Sequence, residues 1–278
     1  MVKAASRYLK ICAVAVLCVF IAGCATYRAH PEFKERHKSI AKIAVMAPQV
    51  DAYLLTFKGD KNRLDYVCSI MEKAMVDGME YTFSQKGYEI KKLDLGTSAL
   101  ARNPELKTAV FNINKLFDKA LDDIRKGKQG KFTYSVGPDI NLFADLSDSD
   151  AIIFMRGVGM EKSEGEIAKE VVKSVAVSVA SAMVGAAYTP SIQTSAVTMD
   201  VAVVDANDGA ILWYNNNAVG SNNYSPRNNR QVSTLTRYLV LAFPDRVAGQ
   251  PPQQRASSSA SNMKDLSVAP VMTPPVSR

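Results

Sequence analysis

The apolar residues of this chain follow two different spacings in turn, and this alternation limits the folds that the chain can adopt. Apolar stripes at helical spacing predict helices over 64–86 and 103–127. The second helix has a favourable start, because Asn103 is a preferred N-cap and Pro104 suits the first helical position. Short apolar or alternating runs predict strands over 40–47, 88–93 and 150–157, and a hairpin over 195–219. A last apolar stripe at helical spacing predicts a closing helix over 227–243.

The order of these segments predicts the fold class. Helices separate the early strands, which favours parallel neighbours, whereas the late hairpin must be antiparallel. We therefore expect an α/β (mixed α+β) domain over 40–246, in which a single mixed β-sheet is packed with helices. Residues 132–136 and 140–146 are weaker stretches, which we predict to be extended and paired. Residues 247–278 contain five prolines and no aromatic residue, so we predict a disordered tail there.

The first 23 residues have the pattern of a secretory signal peptide. Lys3, Arg7 and Lys10 form a basic front, and residues 11–23 follow without a single charge. This apolar run is about half of the ~20 residues that a helix needs to cross a bilayer. We therefore expect an export signal rather than a stable transmembrane anchor.

The signal ends in Ile21-Ala22-Gly23-Cys24, which resembles the bacterial lipoprotein box. The resemblance implies cleavage between Gly23 and Cys24, and attachment of lipid to the sulfur and the amine of Cys24. In such lipoproteins, a residue other than Asp after the lipidated cysteine favours the outer membrane, and Ala25 fits that pattern. An ordinary signal peptide followed by a chance cysteine is the alternative.

Removal of the signal peptide changes the charge and the cysteine count of the exported chain. The 34 basic residues become 31 against 27 acidic ones, so the net charge is +4 rather than +7. This mild charge suits a protein beside anionic lipid or peptidoglycan, and it is not typical of nucleic-acid binding. With Cys12 and Cys18 removed and Cys24 lipidated, only Cys68 remains, so no intramolecular disulfide can form. We predict that Cys68 is buried on a helix.

Residues 24–39 are polar and contain both histidines of the chain, His30 and His37. We predict that this segment is a tether between lipid and domain, about 50 Å long when extended. A histidine in a flexible tether cannot be held in a catalytic geometry, and no Cys, His and acidic residues have the spacing of a zinc site. We therefore expect no catalytic residue, no metal and no cofactor, and thus a protein that is not an enzyme.

Three short segments resemble a group of outer-membrane lipoproteins: residues 42–48, 149–154 and 201–213. The group includes the curli secretion lipoproteins, the lipoprotein activators of peptidoglycan synthases and the N-terminal domain of the Tol-system β-propeller protein. The resemblance implies a compact periplasmic α/β domain that works through protein contacts and has no active site. A curli-type pore is not expected, because Gly137 and Pro138 interrupt the stretch that would supply a long membrane hairpin.

One further segment has an unusual composition. No charged residue occurs from Ser174 to Met199, and small residues recur there every four positions. Such a stripe allows another helix to approach closely, so the segment is either an internal helix, a subunit interface or an insertion into lipid. The residues of the stripe are Ser174, Ser178, Ala182 and Ala186.

These observations favour a non-enzymatic lipoprotein that acts as a binding or assembly factor in the cell envelope. Its expected partners are the membrane, through the lipid on Cys24, and envelope proteins, with no nucleic acid. The alternative is a homo-oligomeric subunit of an export or transport complex, with the small-residue stripe at its contacts. An envelope hydrolase is a third hypothesis.

Overall fold

The computed structural model describes residues 27–93, 95, 97–127, 130–170, 194–221 and 224–247. The predictions for the signal peptide, for Cys24 and for the tail from residue 248 onward lie outside these ranges. Within them, one sheet contains eight strands and is packed with helices. The α/β fold predicted from the sequence is therefore confirmed.

The strands and helices have the following bounds. The strands are β1 (Arg28–Ala29), β2 (Lys42–Val45), β3 (Gln49–Leu55), β4 (Lys61–Arg63), β5 (Glu89–Lys92), β6 (Ala151–Lys162), β7 (Ser195–Asp205) and β8 (Ile211–Ser221). The helices are α1 (Phe33–Arg36), α2 (Asp65–Gln85), α3 (Thr97–Arg102), α4 (Pro104–Arg125), α5 (Ile140–Ser147), α6 (described over 164–170) and α7 (Asn229–Leu239).

Strand β6 lies at the centre of the sheet. On one side it pairs antiparallel with β7, from Ala151 opposite Asp205 to Glu161 opposite Ser195. On the other side its first residues pair in parallel with β2 and its later residues pair in parallel with β3. Strand β5 lies beyond β2, whereas β8 and then β1 lie beyond β7. The pairs β2–β5, β2–β6 and β3–β6 are thus parallel and the late hairpin is antiparallel, as the sequence predicts. Strands β1 and β4 pair antiparallel with β8 and β3, respectively.

Helices cover both faces of the sheet, because the strands send buried apolar side chains to both sides. On one face, Met71 and Met75 of α2 pack in a cluster with Val201 and Val203 of β7. On the other face, α4 and α5 contribute to a second cluster, in which the rings of Phe117 and Phe154 lie 5.4 Å apart. Cys68 is buried on α2, as predicted.

The prediction of an extended segment over 140–146 is wrong, since these residues form helix α5. Its buried residues are Ile140, Phe143, Ala144 and Ser147, which follow a helical spacing. The helix ends at Asp148, which adopts the left-handed conformation with a φ of 48°. Of residues 132–136, Ser135 alone forms a β-bridge, opposite Ala210.

The prediction of a flexible tether is wrong from Tyr27 onward. Residues 28–29 form strand β1, and a short helix and a 3₁₀ turn follow over 33–39. Phe33 and His37 are both less than 9% exposed, so burial of their rings holds the segment against the domain. The folded domain therefore begins at or before Tyr27 rather than at residue 40.

The turn that joins β7 to β8 requires glycine at position 209. Gly209 has a φ of 74°, and a Cβ built there would overlap the backbone carbonyl oxygen of Gly137.

Gly59 has a φ of 88° but has open space around it, so it is a matched control for a substitution at Gly209. We predict that Gly59→Ala costs about 1 kcal/mol, from backbone strain alone. We predict that Gly209→Ala costs about 1–3 kcal/mol more, because the clash adds to the strain.

Urea unfolding of both variants at one pH measures this difference. Equal losses in the free energy of unfolding would contradict the packing of residue 209 against the backbone of Gly137.

Candidate functional site

The first described residues cover the edge of the sheet. Arg28 and Ala29 pair antiparallel with Tyr214 and Trp213 of β8, and the His30 N–H donates to the Leu212 carbonyl oxygen at 2.9 Å. Strand β1 thereby covers part of an edge whose hydrogen-bonding groups would otherwise be open to other chains. A two-residue strand has too few residues to show an alternating pattern, so β1 could not be predicted from the sequence.

Aromatic packing reinforces this edge. The ring of Tyr27 stacks on Trp213, with centroids 5.9 Å apart. The Trp213 ring in turn meets the Phe243 ring edge-on, with centroids 5.6 Å apart. The Phe33 ring also meets the Phe243 ring edge-on, again with centroids 5.6 Å apart. Edge-to-face contacts of this kind are favourable because of the ring quadrupoles. The chain is therefore anchored to the core at Tyr27 and again at Phe33.

His37 lies inside this aromatic cluster rather than in a tether. Its Nε2 lies 2.9 Å from the hydroxyl of Tyr88, which itself donates to the Pro244 carbonyl oxygen at 3.1 Å. The Tyr88 hydroxyl therefore links the His37 ring to the backbone at Pro244. Burial lowers the pKa of His37, and nearby Lys38 adds to this effect. His37 is thus a neutral packing residue.

An ion pair joins helix α1 to the β7–β8 turn. Arg36 Nη2 lies 2.6 Å from Asp205 Oδ2 and 2.7 Å from Asp208 Oδ1. The Asp205 side chain is only 7% exposed, so an opposite charge beside it offsets part of the cost of its burial. The same carboxylate accepts the backbone N–H of Asn207, which shapes the turn. The N-terminal segment and the hairpin therefore hold each other in place.

The acidic residues before β6 also act within the fold. Asp150 Oδ2 accepts the backbone N–H groups of Ala41 and Lys42, each at 2.9 Å, and Asp148 pairs with the Lys42 ammonium group at 2.5 Å. These contacts fix the start of β2 beside β6. Among the described residues, no three His, Cys, Asp or Glu side chains gather into a group that could hold a metal ion.

An open groove of about 450 Å³ lies beside β1. It combines two exposed basic side chains, Arg28 and Lys131, with two partly buried aromatic ones, Phe132 and Tyr134. The two rings meet edge-on at 5.2 Å, and Phe132 stacks on the buried Tyr214 at 6.4 Å. The aromatic wall is therefore supported by the core. Nothing in the sequence pattern predicted this groove, because its lining comes from segments about one hundred residues apart.

Several predicted site residues lie outside the described ranges. These are the cleavage pair Gly23 and Cys24, and the small-residue stripe Ser174, Ser178, Ala182 and Ala186. Their roles stay predictions. In the part of the chain that the structure describes, no helix is both long enough and apolar enough to cross a membrane.

The fold thus defines a mixed α/β domain with an N-terminal segment packed on its sheet edge. No family model matches the chain, and no curated protein matches it. Among solved structures, lipoprotein GNA1162 from Neisseria meningitidis is 12% identical with a TM-score of 0.29, over 73% of this chain and 99% of that one.

Two PelC dodecamer structures from Paraburkholderia phytofirmans also align with 73% of this chain and 87% of theirs. One is 8% identical with a TM-score of 0.29, and the other is 10% identical with a TM-score of 0.25. TM-scores this low establish neither a shared fold nor a shared function.

The buried His37 predicts a pH dependence of stability. The pKa of His37 is lower in the folded chain than in the unfolded chain, where it lies near 6.5. As the pH falls below about 6.5, the unfolded chain therefore binds more protons than the folded chain. We predict that the free energy of unfolding falls as the pH drops below about 6.5. His37→Gln should reduce this slope, because the amide cannot titrate.

Urea unfolding between pH 7.5 and 5.5 measures the slope. His30→Gln removes the other histidine and is the matched control, and the change in slope in His37→Gln is read against it. An identical slope in wild type and His37→Gln would show that His37 is not responsible.

Proposed function

We propose that this protein is a non-enzymatic lipoprotein, anchored through lipid on Cys24, whose α/β domain binds protein partners in the cell envelope. One observation carries the proposal: the sequence Ile21-Ala22-Gly23-Cys24 ends a signal peptide only three residues before Tyr27, where the folded domain is already packed. A lipid at Cys24 would thus be joined almost directly to the sheet edge.

The polar contacts of the N-terminal region support a binding role. His37 packs beside Tyr88, Arg36 pairs with Asp205, and Asp150 holds the start of β2. Each of these groups, which in another setting could supply acid–base chemistry, acts here in packing or in fixing the backbone. We therefore propose that the domain works through contacts with other proteins rather than through a reaction.

We also propose that the anchor lies in the outer membrane, with the domain on its periplasmic side. The support is Ala25, since a residue other than Asp after the lipidated cysteine favours the outer membrane in the lipoproteins that the signal resembles. Two or three acyl chains would hold the protein stably, whereas one chain binds only reversibly.

We predict that Cys24→Ser abolishes both cleavage and lipid attachment, because the hydroxyl cannot replace the thiol. The matched control is Cys68→Ser, since Cys68 is buried in the domain and should play no part in processing. Mass spectrometry of the purified chain reads the N-terminus and the added lipid. The proposed anchor would be overturned if the wild-type chain carried no lipid, or if Cys24→Ser were processed in the same way as the wild type.

The binding role is tested by crosslinking in intact cells followed by purification of the wild-type and Cys24→Ser proteins. We expect a specific envelope protein to be crosslinked to the wild type and to be lost with the anchor. Absence of any stable partner would count against the binding role. A ladder of crosslinked copies of this chain would instead favour the oligomeric subunit.

A further inference from the structure

The packed N-terminus limits how far the domain can lie from its anchor. Two residues, Ala25 and Thr26, lie between Cys24 and Tyr27, so the Cα atoms of Cys24 and Tyr27 are at most about 11 Å apart. Tyr27 is fixed by its stack on Trp213, and Ala29 is fixed by strand pairing. The sheet edge at β1 must therefore lie close to whatever surface receives the lipid.

The groove at this edge has the chemistry of a membrane interface. Arg28 belongs to β1 itself and Lys131 lies across the groove, and both side chains are exposed. Of the described residues that line the groove, none is acidic. The aromatic side chains of Phe132 and Tyr134 lie between the basic groups and the core. Basic and aromatic side chains together are typical of protein surfaces at the level of lipid headgroups.

Two other basic residues that the structure describes, at the end of α4 just before the groove, are already paired, whereas Arg28 and Lys131 line the groove itself. Arg125 pairs with the buried Asp200, and Lys126 pairs with Asp122. Their positive charge is therefore compensated within the protein.

The geometry points to anionic phospholipid headgroups as the ligands of this groove. The inference rests on the proposed lipid at Cys24: the anchor brings the β1 edge to the bilayer, and Arg28 and Lys131 then contact the phosphates. The domain is thereby held on the membrane in one orientation. A cation near an anionic surface strengthens membrane binding about fivefold, so these two side chains add a second attachment to the lipid.

The opposite edge of the sheet provides a matched control. Strand β4 lies five strand positions from β1, which corresponds to roughly 24 Å. Lys61 lies on β4 and Lys58 lies in the turn before it, and both are exposed. These lysines should face away from the membrane when the β1 edge faces towards it.

The experiment uses the full processed protein, purified from membranes and reconstituted in vesicles of phosphatidylglycerol and phosphatidylethanolamine. Lysines are acylated with a water-soluble reagent, and mass spectrometry gives the modification rates of Lys131 and Lys61. We expect Lys131 to react several-fold more slowly in these vesicles than in detergent, with Lys61 unchanged. Arg28→Glu should restore the reactivity of Lys131, whereas Lys58→Glu, with the same change in charge, should not.

Each outcome decides a separate point. If the protein carries lipid at Cys24 but Lys131 and Lys61 react equally, this inference fails while the proposed anchor stands. If no lipid is found and the chain does not associate with vesicles, both fail. If inorganic phosphate without vesicles protects Lys131 to the same degree, the groove binds free anions and the assignment to lipid is overturned.

Discussion

Strand β6 is the element on which the rest of the structure depends, because its backbone pairs on both sides. Strand β7 follows it from Ala151 to Glu161, and β2 and β3 share its other side. Its residues from Ala151 to Met155 are fully buried between helices on both faces. Strand β6 therefore fixes the positions of the parallel strands and of the β7–β8 hairpin relative to each other. The position of β8, at the outer edge of the hairpin, is thereby defined as well.

That edge determines the position of the N-terminus. Strand β1 pairs with β8, the aromatic rings of Tyr27 and Phe33 pack near Trp213 and Phe243, and Arg36 is bound to Asp205 in the hairpin turn. Backbone, aromatic and ionic contacts thus act on one short segment. The segment joins the proposed lipid at Cys24 to the core without a long linker, and this short connection would make the orientation of the domain on a membrane part of its function.

Elements with a clear apolar pattern could be predicted from the sequence, whereas some of the short ones could not. Helix α4 begins where expected, with the Asn103 side chain accepting the Leu106 N–H at 3.0 Å, and its stripe spans six turns. Helix α5 has eight residues, or about two turns, and β1 has two residues, so the pattern of each is short and both depend on contacts with distant segments. His37 was misplaced for a related reason: its polar neighbours in sequence indicated a tether, and two of the aromatic residues around it, Tyr88 and Phe243, come from far along the chain. The groove beside β1 is likewise visible only in three dimensions.

Amide hydrogen exchange at His30 tests most directly whether the chain is part of the fold from Tyr27 onward. The His30 N–H donates to the Leu212 carbonyl oxygen across the sheet edge. We expect this amide to exchange many-fold more slowly than in an unstructured peptide, because β1 must first separate from β8. Exchange at the rate of an unstructured peptide would show that residues 27–39 are a tether, and would contradict the account.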